Sequence, residues 1–181
     1  MPEAERTPAF KPVISGSPVA TLTPAANATR ISLRADDKSA KALSKALGVR
    51  LPTAPLQSDA KDGRIALWLG PDEWLVIDET GADLMALAAS VKDLHSAVDV
   101  SHRNTALIVK GPSAADAINT ACPLDLSLAA FPVGKCARTV LGKIEIVLWR
   151  KAADEFRVEC WRSFAPFALG MLNEGASDAA V

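Results

Sequence analysis

Two apolar runs, Arg64 to Leu69 and Glu73 to Ile77, are separated only by Gly70-Pro71-Asp72. That spacing commits the middle of the chain to a tight hairpin, because Gly, Pro and Asp supply the dihedral angles and local hydrogen bonds a turn demands. A lone hairpin is not stable in water, so the flanking segments must supply what covers it. They carry suitable patterns. Upstream, Thr29-Arg30-Ile31-Ser32-Leu33-Arg34 alternates and predicts a strand with one wet face. Asp36-Asp37 then offers a helix cap before Ala40, Leu43, Ala46 and Leu47, and Gly48 ends that helix. Leu51 to Gly63 reads as a loop. Downstream, Leu84, Leu87, Ala88, Val91 and Leu94 predict a helix, and His95 to Val100 a strand.

The second half repeats this plan loosely. Thr105 to Val109 reads as a strand, and Gly111-Pro112-Ser113 leads into a short helix carrying Ala114, Ala117, Ile118 and Ala121. Ser113 with Asp116 resembles a capping box. Pro123 stops that helix, and Leu124 to Pro132 is an irregular link. Strands are expected over 135–141, 143–149 and 155–161, with Gly142 turning the chain between the first two. Phe164, Phe167, Ala168, Met171 and Leu172 then mark a final helix with that stripe in the core. The expected fold class is α+β: two ferredoxin-like split β-α-β units, helices covering one face of mostly antiparallel sheets. Residues 1–27, rich in Pro, Ala, Thr and Ser, read as a flexible N-terminal arm whose one apolar patch is Phe10 to Ile14. Residues 28–175 form a single domain, and 176–181 a tail.

Charge narrows the function. Twenty Lys and Arg face twenty-one Asp and Glu, which leaves no basic excess for a phosphate backbone. No apolar run is long enough to span a bilayer, and the first residues lack the basic-then-apolar pattern of a secretory signal. Cys122, Cys136 and Cys160 are an odd, scattered set, which points to reduced thiols and a cytoplasmic protein. Four Trp and a slightly positive mean hydropathy suit a chain that lives against a partner.

Catalytic chemistry is hard to place. Neither G-x-G-x-x-G nor a P-loop can be written on this chain. His95, Asp99 and His102 are the one cluster with a metal-like composition, and polar groups at a strand edge are the commoner explanation for such a trio. Cys122 sits at a helix end and Cys160 alternates with core residues, so neither has the surroundings that favour a thiolate. Asp36-Asp37 and Asp72-Glu73 have structural explanations as a cap and a turn. Trp74, Trp149 and Trp161 read as packing residues, and Arg138 and Arg162 as ion-pair partners or interface groups.

The segments Val98-Asp99-Val100-Ser101-His102 and Leu107-Ile108-Val109-Lys110-Gly111-Pro112 resemble the folate-binding aminomethyltransferase family, whose best-known member is the glycine-cleavage T-protein. The resemblance continues through Asp116-Ala117, Leu124-Asp125-Leu126, Gly134 and Arg138-Thr139-Val140-Leu141. It implies an aminomethyltransferase folate-binding-domain-like fold for 28–175. Catalytic relatives carry a Gly-Gly-x-x-Asp-Asp segment after the strand matching Arg138 to Leu141. Here a compact turn through Gly142-Lys143-Ile144-Glu145 replaces it, and Glu145 does not inherit the acid's role.

A finer match is to the gamma subunits of heterotetrameric sarcosine oxidase. It is carried by Gly70, Asp72, Glu73 and Trp74; Asp99, Ser101 and His102; Gly111; Cys122, Pro123 and Asp125; Gly134; Arg138 and Thr139; and Arg162, Ser163 and Phe164. These are signature positions of structural or interface type. The resemblance implies no catalytic, cofactor or metal residue in this chain. It implies alpha, beta and delta partner subunits that hold FAD, FMN, NAD, tetrahydrofolate and zinc, in a complex converting sarcosine to glycine with peroxide and a folate-bound one-carbon product. The alternatives are a stand-alone folate-dependent transferase working through Asp99 or Asp125, and a folate-binding accessory module.

Overall fold

The computed structural model describes residues 9–10 and 15–181. Eleven strands and four α-helices follow one another: β1 (Ser15–Ser17), β2 (Ala20–Pro24), β3 (Thr29–Ala35), α1 (Asp37–Leu47), β4 (Ser58–Lys61), β5 (Arg64–Gly70), β6 (Glu73–Asp78), α2 (Leu84–Ala89) and β7 (His95–Asp99) make the first part. The second contains β8 (Asn104–Lys110), α3 (Ala114–Asn119), β9 (Cys136–Leu141), β10 (Ile144–Ala152), β11 (Glu155–Trp161), a single 3₁₀ turn (Arg162–Phe164) and α4 (Ala165–Asp178). The strands form two antiparallel sheets, ordered β4-β5-β6-β3-β7 and β1-β2-β8-β11-β10-β9.

The two orders are the same plan. In the first, β3 lies between β7 and the β5–β6 hairpin, with β4 added outside β5. In the second, β8 lies between β2 and the β10–β11 hairpin, with β9 added outside β10. Each core is a split β-α-β arrangement. The difference lies in the closing strand. Strand β7 follows its own helix α2, whereas its counterpart β2 comes from the start of the chain.

Residues 15–24 therefore depart from the expected arm. Ala20 and Leu22 are fully buried, and Thr21 to Pro24 pair with Leu107 to Lys110. The alternation is only five residues long and ends in Pro24, too short a signal to outweigh the Thr- and Pro-rich composition. Phe10 is buried in the α3/α4 core, while 1–8 and 11–14, the rest of the expected arm and its apolar patch, lie outside the described residues. At the other end, α4 runs to Asp178 with Ala176 buried, so the expected tail begins as helix.

Three apolar layers hold the fold. The α1/α2 side packs Ile31, Leu33, Leu43, Leu47, Trp74 and Val76. The α3/α4 side packs Leu22, Leu107, Ile118, Leu148, Phe156 and Leu172. Between the sheets lie Ile65, Leu67, Leu75, Ile77, Val147 and Trp149. Both faces of each central strand are thus covered, which explains why β6 and β10 read as almost continuous apolar runs. The cap of α1 is as expected: the Asp36 carboxylate accepts from the Ser39 amide at 2.7 Å, and Gly48 ends the helix at φ 67°.

Four local expectations are corrected. The 51–63 segment contains β4, turned into β5 by Asp62-Gly63, both at positive φ (49° and 77°), the Asp-Gly signature of a two-residue hairpin. Helix α2 stops at Ala89; Leu84 and Ala88 are buried and Leu87 and Val91 pack beside them, while Leu94 is exposed. The Ser113 hydroxyl makes no capping bond; its amide instead donates to Val19 O at 3.0 Å, tying α3 to the β1–β2 turn. On α4, Ala168 and Leu172 are buried and Phe164 and Met171 pack beside them as expected, but Phe167 is exposed, and Ala165, Gly175 and Ala176 complete the buried face.

Close approach of α3 and α4 explains the small residues on that face. A Cβ on Gly175 would lie 2.1 Å from Ala117 O. Small residues let the backbones meet and push the aromatic side chains to the flank. Gly175→Ala is expected to cost about 2 kcal/mol by forcing the helices apart, read from the urea midpoint. No helix among the described residues is long and apolar enough to cross a membrane.

Candidate functional site

Strand alternation decides what meets between the sheets. On β3, Ile31 and Leu33 face α1 and α2, so Arg30 points at the other sheet. On β11, Phe156, Val158 and Cys160 face α3 and α4, so Arg157 and Glu159 point back. Arg30 and Glu159 then meet in a forked pair, Nε donating to Oε2 at 2.8 Å and Nη2 to Oε1 at 3.1 Å. Arg157 Nε donates to the same Oε1 at 2.8 Å, and its Nη1 donates to Glu79 Oε1 at 2.5 Å. Arg30, Arg157 and Glu159 are 4%, 2% and 1% exposed. Burial opposes the charge on Arg157, but Glu159 and Glu79 outweigh it and hold the guanidinium above its ordinary value. The result is a line of alternating charge, Arg30–Glu159–Arg157–Glu79, running through the inter-sheet layer towards solvent.

Beside its outer end, Asp78 organises the segment after β6. Its Oδ1 accepts from the amides of Thr80 and Ala82 at 2.8 and 2.9 Å and from the Thr80 hydroxyl at 2.8 Å, and Oδ2 accepts from Arg64 Nε at 2.8 Å. Burial pushes this carboxyl up, and the bonds to Ala82, Thr80 and Arg64 together pull it below its usual range. A carboxyl lowered on folding contributes stability that is present at neutral pH and is lost as pH falls through its folded value. Asp78→Asn is expected to destabilise by about 2 kcal/mol at pH 7 and to flatten the acid limb of a stability–pH curve between about pH 5 and 2.

The signature residues fall into three groups. Glu73 and Arg138, on different sheets, form an ion pair, with Arg34 Nη2 donating to the other Glu73 oxygen at 2.8 Å and Arg34 Nη1 reaching Asp72 at 3.3 Å. Gly70 sits at a register shift in the β5–β6 hairpin, and Trp74 is buried with its indole N–H donating to Pro52 O at 2.7 Å. The Asp99–His102 element is a hinge between the sheets. Asp99 Oδ1 accepts from the Ser101 amide at 2.7 Å, and Ser101 Oγ accepts from the Arg30 amide at 2.8 Å. His102 is exposed. Asp125 Oδ1 accepts from the Ser127 amide at 2.8 Å, which lowers its carboxyl below the ordinary value.

The remaining signature positions serve packing and turns. Cys122 is buried ahead of Pro123, and Gly111 at φ 140° lets Val19 O approach to where a side chain would stand. Gly134 O accepts from the Ser58 amide at 3.1 Å, linking the sheets, and Thr139 pairs with Ile146. Phe164 stacks on Trp161 at 5.7 Å, with Arg103 over the Trp161 ring, and Arg162 donates its amide to Arg103 O at 2.8 Å. Ser163 is exposed.

Trp74 and Trp149 are core residues as expected, whereas Trp161 is 40% exposed. His95 Nδ1 contacts Asp93 O at 2.7 Å and does not converge with His102. Among the described residues, no three His, Cys, Asp or Glu side chains gather as metal ligands would. Burial pushes the Cys136 and Cys160 thiols up to about 12, which keeps them protonated and unreactive at neutral pH. Sequence reasoning missed Arg30, Glu79, Arg157 and Glu159. The alternation of β3 and β11 held the signal, since each places a charge on a strand whose two faces are both covered.

A family model described as the sarcosine oxidase gamma subunit family matches residues 32–178. The chain belongs to that family. The sarcosine oxidase subunit gamma of Corynebacterium sp. strain P-1 is 33% identical over 156 residues, 83% of this chain and 77% of that protein. Its namesake from Corynebacterium sp. strain U-96 is 32% identical over 171 residues, 91% of this chain and 83% of that one. A chain of the heterotetrameric sarcosine oxidase from Corynebacterium sp. U-96, in complex with pyrrole 2-carboxylate, superposes with a TM-score of 0.84 at 30% identity, covering 90% of this chain and 86% of its own. The glycine cleavage system aminomethyltransferase T of Bartonella henselae superposes at 0.64 and 17% identity, over 85% of this chain and 45% of its own. That second match shows a shared fold. The gamma-subunit resemblance and the α+β, aminomethyltransferase-like fold are therefore both as expected.

Proposed function

We propose that this gamma-family chain is a non-catalytic scaffold subunit of a heterotetrameric sarcosine oxidase. It works with alpha, beta and delta subunits, which hold the flavins, NAD, tetrahydrofolate and zinc. The complex oxidatively demethylates sarcosine to glycine, with peroxide and a folate-bound one-carbon unit as products. The three buried thiols suit a reducing, cytoplasmic setting.

One observation carries the scaffold reading. The carboxylates the sequence offered for acid–base work are committed to holding the chain together. Asp99 and Asp125 each accept the amide two residues on, and Asp125 is lowered by that bond. A general acid or base needs the opposite, a carboxyl whose value is raised towards working pH.

Purified alone, the chain is expected to be colourless, to release no peroxide from sarcosine and to transfer no one-carbon unit to tetrahydrofolate. Asp99→Asn and Asp125→Asn should then lower the stability of the chain and leave the turnover of the assembled complex within about twofold. Turnover by the lone chain, abolished by either substitution, would establish the transferase alternative instead.

A further inference from the structure

The charged line between the sheets ends at a cavity of about 310 Å³. Its walls are apolar where Trp149, Ile65, Ile108 and Ala60 line it, and charged where Arg157 and Lys61 face the acidic Glu79 and Asp62. Arg64 and Lys151 also border it, but the first is held by Asp78 and the second by Glu155. The decisive group is Arg157. It is 2% exposed, and two of its three nitrogens are bound by Glu159 and Glu79, while its Nη2 is buried with no hydrogen-bond partner. A buried guanidinium N–H left without an acceptor costs stability unless something supplies one. Glu159 is already taken in a fork by Arg30, so it cannot also neutralise Arg157 fully. Glu79 completes the balance from a half-buried position, 37% exposed.

We propose that this cavity is a binding site for a small organic carboxylate with a flat apolar body. Because Nη2 has no surface open to water, the carboxylate takes the place of Glu79 and binds Nη1 and Nη2 together, with Lys61 adding charge at the rim and the body against Trp149 and Ile108. The volume suits one ring and its acid group, at the small end of ligand pockets. Paired guanidinium donors are the usual receptors for a carboxylate. Glu79 is the built-in competitor: it occupies the neighbouring nitrogen Nη1, and a ligand must displace it to reach the guanidinium.

This makes an opposite-sign test possible on the full-length chain, by calorimetric titration with benzoate and with its neutral isostere benzamide. Benzoate is expected to bind, and benzamide to bind at least about tenfold more weakly. Glu79→Gln should tighten benzoate about threefold or more, because it removes the competing charge. Arg157→Gln should abolish binding. Should that variant fail to fold, Ala60→Trp crowds the cavity from β4, a strand that carries none of the four charges of the line, and should abolish binding equally. No benzoate binding by either the unaltered chain or Glu79→Gln at about 20 mM overturns the proposal, as does equal binding of benzamide. Benzoate binding seen in the isolated chain and lost in the complex purified with partner subunits would show that a partner fills the cavity, and would overturn a small-ligand site.

Discussion

A chain that begins at Ala25 fails to fold. Strand β2 is the closing strand of the larger sheet, and removing it turns β8 into an open edge and uncovers Leu107 and Val109. Leu22 alone is fully buried, and losing such a side chain costs about 2–5 kcal/mol before the Thr21-to-Pro24 pairings are counted. Domain stabilities are about 5–15 kcal/mol, so the deletion consumes most or all of it. The expected result is an insoluble chain, or one without a cooperative thermal transition. Leu22→Asp should act in the same direction without shortening the chain. A truncated chain melting at the unaltered temperature would mean that residues up to 24 are an arm after all.

Glu159→Leu should cost about 3–5 kcal/mol, because it leaves Arg30 and Arg157 buried and facing each other without their shared acceptor. The companion experiment separates specific pairing from mere volume. Replacing all three as Arg30→Met, Arg157→Met and Glu159→Leu removes the uncompensated charge, and is expected to recover at least half of the loss. Urea unfolding at constant pH reads both. A single Glu159→Leu variant within about 0.5 kcal/mol of the unaltered chain would show that the charged line is solvated and contributes nothing.

The fold was legible where local pattern and tertiary role agree. Asp36 and Gly48 bracket α1, and Gly70-Pro71-Asp72 joins β5 to β6, because caps and turns are decided within a few residues. It was not legible where partners are distant. Thr21-Leu22-Thr23 becomes a strand only because β8 lies beside it, some ninety residues later in the chain, with Thr21 paired to Lys110. The far end of the α4 stripe was missed because Gly175 and Ala176 look uninformative in a periodicity, yet the backbone of Gly175 meets Ala117 and Ala176 is buried beside it. The charged line escaped for a related reason. Arg30 and Glu159 lie 129 positions apart, and an alternating strand presents an inward Arg and an outward one in the same way until the covering sheet is known. The family signature was readable because many of its residues sit in turns and sheet-to-sheet ties, where local geometry dictates the residue type.

The central claim, that this chain is a scaffold within a multi-subunit oxidase, is tested most directly by co-expression. The tagged chain is produced with candidate alpha, beta and delta subunits, purified through the tag, and examined by absorbance and by peroxide release from sarcosine. The account predicts a yellow complex of stoichiometric subunits whose turnover per flavin is unchanged by Asp99→Asn or Asp125→Asn. A tagged chain that elutes alone and colourless, while the remaining subunits assemble and oxidise sarcosine at full rate without it, would contradict the account.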